Sequence, residues 1–143
     1  IVYRRGDPRF EGRTISEIVA SATDDPDCVM VNRNQGSGTR ILIDRLLAGS
    51  RPSGYANQPA SHNAVAAAVT QGRADWGVAI EPVTRASGLG FLPVRQEEYD
   101  FVIPRARRQR PAVIAFVELL KEPAVRQELA RRGFTTGEDG QTS

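Results

Sequence analysis

The sequence is poor in the residues that build covalent cross-links and metal centres. Its 143 residues include one cysteine, Cys28, and one histidine, His62. A single cysteine excludes a disulfide within the chain and fits a reducing compartment, so we expect a cytoplasmic protein. A lone histidine without partners at zinc-like spacing does not make a metal site. We therefore expect no metal and no organic cofactor.

Long apolar runs and a large excess of one charge are missing too. No run approaches the roughly 20 apolar residues that a membrane-spanning helix needs, and no signal peptide is visible, so we expect no membrane partner. Basic and acidic residues number 19 and 17, a formal net charge of +2. This balance does not favour nucleic-acid binding. The arginine run 105–110 lacks aromatic interleaving, so we interpret it as a solvated linker that makes no direct nucleic-acid contact.

The most informative stretch is an apolar strand followed by a polar turn and a helix. Residues 28–31 are short, apolar and partly β-branched, which is typical of a buried strand. Apolar residues at helical spacing begin at Ile41, directly after a glycine-rich turn. The first N–H groups of a helix have no internal partner, and the helix dipole places roughly half a positive charge there. We therefore predict an anion site at the start of this helix, formed by Ser37, Gly38, Thr39 and Arg40.

Each residue type in this turn suits an anion. Glycine removes side chains that would keep a ligand away, the hydroxyls of Ser37 and Thr39 are donors, and Arg40 adds a guanidinium. The alternative is a plain helix cap that contributes on the order of 1 kcal/mol. The spacing matches neither a Walker A loop nor a full dinucleotide fingerprint.

A second helix start lies at Ser61, His62 and Asn63, before an alanine-rich run that Gly72 ends. In α/β proteins, ligands bind beyond the carboxyl ends of strands, where helices begin. We therefore expect these three residues to face the same ligand as the first turn. Two helix starts aimed at one cleft would hold an anion better than one.

The remaining patterns predict helices and strands in alternation, which is typical of an α/β fold with a mainly parallel sheet and helices on both faces. A Thr-x-x-Glu capping box at 14–17 starts the first helix. Further predicted elements are a strand end at 1–3, strands near 75–80, 91–94 and 99–103, and helices from residues 81, 111 and 123.

Four segments together resemble a known family. They are 31–40 (VNRNQGSGTR), 61–69 (SHNAVAAAV), 72–77 (GRADWG) and 99–104 (YDFVIP). In this order they are similar to the type II periplasmic-binding-protein-like domain that is fused to some molybdopterin biosynthesis proteins and some DNA-binding regulators. The resemblance extends from about Val2 to Phe134 and implies a fold of two lobes with the ligand between them.

The resemblance also implies a domain organisation. Residues 6–97 would form one α/β lobe with the anion site, and 98–134 the return strand and C-terminal helices of a second lobe. Residues 135–143 would be a flexible tail. The family's first, Gly/Ser-rich loop has no counterpart, so we expect half of a site and a fused upstream domain outside this chain. Apolar helix faces left open would favour a homodimer.

The function implied by the resemblance is non-catalytic binding or sensing of a small oxyanion, molybdate or tungstate, within a molybdenum-cofactor or regulatory protein. We expect no catalytic residue here, although a longer protein could carry a molybdopterin biosynthesis domain. One alternative is an effector domain for a small organic anion, as in LysR-type regulators. Another is a fragment of an enzyme that binds a phosphorylated metabolite.

Overall fold

The computed structural model describes residues 1–96 and 100–135. The chain divides into two compact units, residues 1–96 and 97–143. In the first, the elements are β1 (Val2–Tyr3), α1 (Ile15–Asp24), β2 (Met30–Val31), α2 (Gly38–Leu47), α3 (His62–Thr70), β3 (Trp76–Gly77), α4 (Glu81–Ala86) and β4 (Gly90–Phe91). In the second, they are a 3-10 turn (Arg105–Arg107), α5 (Pro111–Lys121) and α6 (Pro123–Arg131).

The sheet of the first unit has the order β2-β3-β1-β4. Strands β2 and β3 pair in parallel, whereas β1 is antiparallel to both β3 and β4. The α/β class is confirmed, but the prediction of a mainly parallel sheet needs correction, because the paired strands form a mixed sheet. Helical crossovers make β2, β3 and β4 run in one direction. β1 runs in the opposite direction, although α1 separates it from β2, and it lies inside the sheet but before the predicted lobe start at residue 6.

Helices cover both faces of this sheet, as predicted. Alternating side chains point to opposite faces of each strand. Tyr3, Met30 and Trp76 pack on one face with residues of α1 and α2. Val2 and Val31 pack on the other face with residues of α3 and α4. Trp76 is a core residue with 1% of its surface exposed.

The predicted capping box forms at the start of α1. The Thr14 hydroxyl accepts from the Glu17 N–H, and the Glu17 carboxylate accepts from the Thr14 N–H at 2.8 Å. Two helix N–H groups that lack intrahelical partners are thereby satisfied.

An ionic cluster around Asp75 fastens β3 to its neighbours. One carboxylate oxygen accepts from Arg4 and Arg9, and the other accepts from the Val29 N–H at 2.8 Å. Burial alone would raise the pKa of Asp75, but the Val29 N–H and the two guanidinium groups outweigh it and hold the pKa below its usual value. This cluster ties the segment after β1 to the start of β3.

In the second unit, α5 and α6 follow the predicted helices, but the strand predicted at 99–103 needs correction. Tyr99 lies outside the described residues, and residues 100–103 are not in a strand. The sheet of the first unit contains none of them, so their backbone has no ladder partner there, and Val102 is 88% exposed. The predicted tail lies outside the described residues, apart from Thr135.

Apolar side chains of the second unit remain open to solvent. Phe116 and Leu119 on α5 are 38% and 47% exposed. The ring of Phe101 lies edge-on to Phe116 with centroids 5.1 Å apart.

No helix within residues 1–96 or 100–135 combines the length and apolar character needed to cross a membrane.

Candidate functional site

The turn between β2 and α2 is closed by Ser37, the N-cap of α2. Its hydroxyl accepts from the Arg40 N–H at 3.1 Å and donates to the Asn34 carbonyl at 3.0 Å. The backbone N–H groups of Gly38 and Thr39 have no acceptor among the described residues. Ser37 is therefore a cap, as the alternative interpretation held, and two donors at the start of α2 remain available to a ligand.

The loop before α3 runs alongside β2, at the free edge of the sheet. Three backbone hydrogen bonds join them: Met30 N–H to Ser53 O at 2.8 Å, Asn32 N–H to Asn57 O at 2.8 Å, and Asn34 N–H to Pro59 O at 3.2 Å. A sheet edge left open would present unpaired backbone groups, so this loop protects it. It also delivers the start of α3 to the end of β2.

Gly54 makes this close approach possible. Its φ is +81°, and a Cβ placed there would lie 2.0 Å from the Met30 carbonyl oxygen. A residue with a side chain would therefore push the loop away from β2. The glycine fixes the path by which the chain reaches α3.

Ser61 is the N-cap of α3. Its hydroxyl accepts from the Ala64 N–H at 3.2 Å. The backbone N–H of Asn63 has no acceptor within the part of the chain that the structure describes. Ser61 and Asn63 are exposed, as is Gly38 on α2. Both helix starts are thus open to solvent.

Asn34 links the two helix starts. Its carbonyl accepts from Ser37, the cap of α2, and its N–H donates to Pro59, two residues before the cap of α3. The structure therefore brings the two predicted turns to one region of the first unit. Which of these residues touch a ligand stays a prediction.

Arg33 was not predicted as a site residue, and it lies between the turns. It is 6% exposed. Its Nη1 lies 3.0 Å from His62 Nδ1 and 3.1 Å from Nε2, and its Nη2 donates to the Ala60 carbonyl at 3.3 Å. Its Nε is buried and has no hydrogen-bond partner among the described residues. Local spacing in the sequence does not show where this side chain goes, so sequence patterns gave no signal for it.

Arg40 turns inward rather than toward the open helix starts. Its Nε donates to Asp44 at 2.8 Å, its Nη1 to the Arg33 carbonyl at 3.2 Å, and its Nη2 to the Tyr55 hydroxyl at 2.7 Å. Its guanidinium also lies over the Tyr55 ring, 4.8 Å from the centroid. These contacts fasten the 53–60 loop, which is the segment that runs alongside β2 before α3, to α2. They give Arg40 a structural role, and a direct ligand contact by this residue stays a prediction.

Charge around Arg40 is balanced within the protein. Burial alone would raise the pKa of Asp44, but hydrogen bonds from Arg40 and Tyr55 outweigh it and lower that pKa. The same carboxylate raises the pKa of Arg40. Arg40 and Asp44 thus form an ion pair, whereas no described carboxylate forms one with Arg33.

Other chemistries find little support around the site. Within the described ranges, no group of three or more His, Cys, Asp and Glu residues is arranged to hold a metal ion. Cys28 is buried in the core, and burial raises the pKa of its thiol to about 11. A thiol with so high a pKa is a weak nucleophile at neutral pH. An open depression of about 400 Å³ lies elsewhere, between α1 and α2.

Comparison with known proteins gives a family and two relatives. A family model described as PBP superfamily domain matches residues 1–121. The chain is 33% identical over 88 residues to "Uncharacterized protein YvgK" of Bacillus subtilis (strain 168), which covers 58% of this chain and 29% of that protein. It is 30% identical over 100 residues to "Uncharacterized protein in ferredoxin 2Fe-2S gene 5'region" of Clostridium pasteurianum, covering 65% of this chain and 88% of that protein. No solved structure matches the chain.

Proposed function

The chain belongs to the periplasmic-binding-protein (PBP) superfamily, and on that premise we propose that it is a non-catalytic binding domain for a small oxyanion. The ligand would lie at the adjoining starts of α2 and α3. The residues that we propose to surround it are those predicted from the sequence: Ser37, Gly38, Thr39, Arg40, Ser61, His62 and Asn63.

One observation carries this proposal. Asn34 joins the cap of α2 to the loop that ends in the cap of α3, so two exposed helix starts lie near each other, and the N–H groups of Gly38, Thr39 and Asn63 there have no acceptor among the described residues. Each helix start adds a partial positive charge, and together they favour a negatively charged ligand. Neither start needs a general acid or base to do this, which suits a binding role.

We propose molybdate or tungstate as the ligand. These tetrahedral dianions present four oxygens that accept hydrogen bonds in several directions. The N–H groups of Gly38, Thr39 and Asn63, with the Thr39 hydroxyl, are donors of the kind that such oxygens require. Sulfate has the same shape and charge, so the size of the site would have to discriminate between them.

The role of the larger protein is a further part of the proposal. The chain spans about 29% of the length of the Bacillus relative and 88% of that of the Clostridium relative. We propose that ligand binding stabilises a closed arrangement of the domain and so signals to a fused partner domain. That partner would belong to a molybdenum-cofactor or regulatory protein.

A thermal-shift series tests the proposal. Molybdate, tungstate, sulfate, phosphate and small carboxylates are added separately to the chain, and its melting temperature is followed. Stabilisation by molybdate and tungstate at lower concentrations than by the other anions supports the proposal, because a ligand that binds only the folded state raises its stability. Preferential stabilisation by carboxylates favours an effector domain for an organic anion instead. No shift with any anion contradicts an anion site in this chain.

Substitution of Thr39 localises the effect. Thr39→Val removes the hydroxyl and keeps a β-branched side chain of similar size. We expect a smaller molybdate-induced shift and an unchanged melting temperature without anion, because the Thr39 hydroxyl makes no hydrogen bond to the described residues. An unchanged anion response would place the ligand away from this hydroxyl.

A further inference from the structure

We propose that Arg33 is the residue that selects a doubly charged ligand at this site. This inference rests on the proposed function, since it assigns a new binding residue to the same surface. The ligand would be a tetrahedral dianion whose oxygens accept hydrogen bonds from the guanidinium of Arg33.

The first argument is the uncompensated charge of a buried guanidinium. Arg33 is 94% buried, as it is 6% exposed, and no carboxylate in residues 1–96 or 100–135 forms an ion pair with it. Burying a charge costs folding free energy unless an opposite charge pairs with it. The neighbouring Arg40 meets this requirement through Asp44. Among the described residues, Arg33 has no carboxylate partner of this kind. An anionic ligand would supply the missing negative charge.

The second argument is the hydrogen-bonding capacity that Arg33 retains. An arginine has five N–H donors in a planar fork. Nη1 contacts His62 and Nη2 donates to the Ala60 carbonyl, while Nε has no partner in the part of the chain that the structure describes. The two contacts account for one hydrogen on each terminal nitrogen. Since Nε is buried, the hydrogens left for the oxygens of a ligand are one on each terminal nitrogen.

The third argument is where the fork is held. Both partners of the guanidinium belong to the start of α3, because Ala60 precedes the cap Ser61 and His62 is the first helical residue. The backbone of Arg33 is held from the other side, since its carbonyl accepts from Arg40 of α2. The guanidinium is therefore held at the start of α3, while the backbone of the same residue is held by α2. A guanidinium whose position is fixed before the ligand binds loses little side-chain entropy when it binds an oxyanion.

Calorimetric titration of the chain with molybdate and perchlorate tests this inference. Both ions are tetrahedral, but molybdate carries two charges and perchlorate one. The variants are Arg33→Gln, Arg33→Lys and the control Arg45→Gln, which removes one charge from an exposed residue in the last turn of α2. Circular dichroism and melting without anion check that each variant is folded.

We expect Arg33→Gln to bind molybdate about 10- to 100-fold more weakly, the range for hydrogen bonds between charged groups. Perchlorate binding should weaken less, so the preference for molybdate falls. Arg33→Lys should retain part of the affinity, and Arg45→Gln all of it. If Arg33→Gln does not fold, Arg33→Lys decides, because loss of the fork alone should already weaken molybdate binding.

The outcomes separate this inference from the proposed function. If the wild type binds molybdate and the Arg33 variants bind it equally well, Arg33 is not the selecting residue, and the oxyanion site stands. An equal loss for both ions would indicate a structural role and overturn the inference too. If the wild type does not bind molybdate, the proposed function fails, and the inference fails with it.

Discussion

The backbone N–H of Asn34 donates to the carbonyl of Pro59 at 3.2 Å, and this bond joins two segments that lie far apart in the sequence. Asn34 follows the edge strand β2 and precedes the cap of α2, while Pro59 precedes the cap of α3. The two helix starts are neighbours because the loop between α2 and α3 runs beside β2. The predictions below test the parts that hold this arrangement together.

The inward-facing guanidinium of Arg40 should matter for stability. Arg40→Ala removes its hydrogen bonds to Asp44, Tyr55 and the Arg33 carbonyl, so we expect unfolding free energy to fall by about 2 kcal/mol. Urea denaturation measures this change. The control Arg45→Ala, at an exposed position of the same helix, should change stability by less than about 1 kcal/mol. Equal effects of the two substitutions would contradict the structural role of Arg40.

Gly54 should be irreplaceable for a steric reason that Gly49 does not share. Both have a positive φ, +81° and +93°, but only at Gly54 does an added Cβ meet another atom, the Met30 carbonyl oxygen at 2.0 Å. We expect Gly49→Ala to destabilise the chain by about 1–2 kcal/mol through backbone strain alone. Gly54→Ala should cost at least about 3 kcal/mol. Similar urea midpoints for the two variants would show that the loop does not pass so close to β2.

The Asp75 cluster should make stability depend on pH in the acidic range. Its pKa in the folded chain is below the ordinary value of about 3.9 for the unfolded one. Between these pKa values the unfolded state binds more protons, so the stabilisation is complete above the unfolded pKa and is lost as pH falls through the folded pKa. At pH 7, Asp75→Asn should lower the unfolding free energy by on the order of 2 kcal/mol.

The test is the stability difference between the wild type and Asp75→Asn, measured in urea from pH 7 to pH 3. Using the difference removes the contribution of the other carboxylates. We expect the gap to narrow below about pH 4. A gap that stays constant, or widens as pH falls, would contradict the electrostatic account of this cluster.

The open apolar face of α5 leads us to propose a homodimer. Phe116 and Leu119 lie on this helix and are 38% and 47% exposed, and such surfaces tend to find partners. Light scattering should give a mass near twice the 15.6 kDa of the chain. Leu119→Glu should shift it toward monomer, while the neighbouring Glu118→Gln should not. A monodisperse monomer at high concentration would count against association.

Local sequence patterns were sufficient to predict the elements around the site. The sequence predicted a cap at Thr14, a cap at Ser37 as the alternative to an anion site, and a helix start at Ser61, and all three hydroxyls form cap hydrogen bonds. These signals are local because the capping side chain and the N–H that it accepts from are three residues apart. The α/β class followed from the alternation of such elements.

Contacts between distant segments could not be predicted in this way. The direction of β1 and the absence of a strand at 100–103 depend on which backbone partners are available. The position of Arg33 depends on the 53–60 loop, whose path along β2 has no local signature except Gly54. Arg40 looked like a ligand residue by its place in the first turn, although Asp44 and Tyr55 hold its side chain.

The most direct test of a shared anion site is a molybdate titration followed by the backbone amide resonances of the chain in NMR spectra. The N–H groups of Gly38, Thr39 and Asn63 have no acceptor among the described residues. We predict that the resonances of all three shift together, with one dissociation constant. Shifts confined to one helix start, or the absence of shifts at both, would contradict the account.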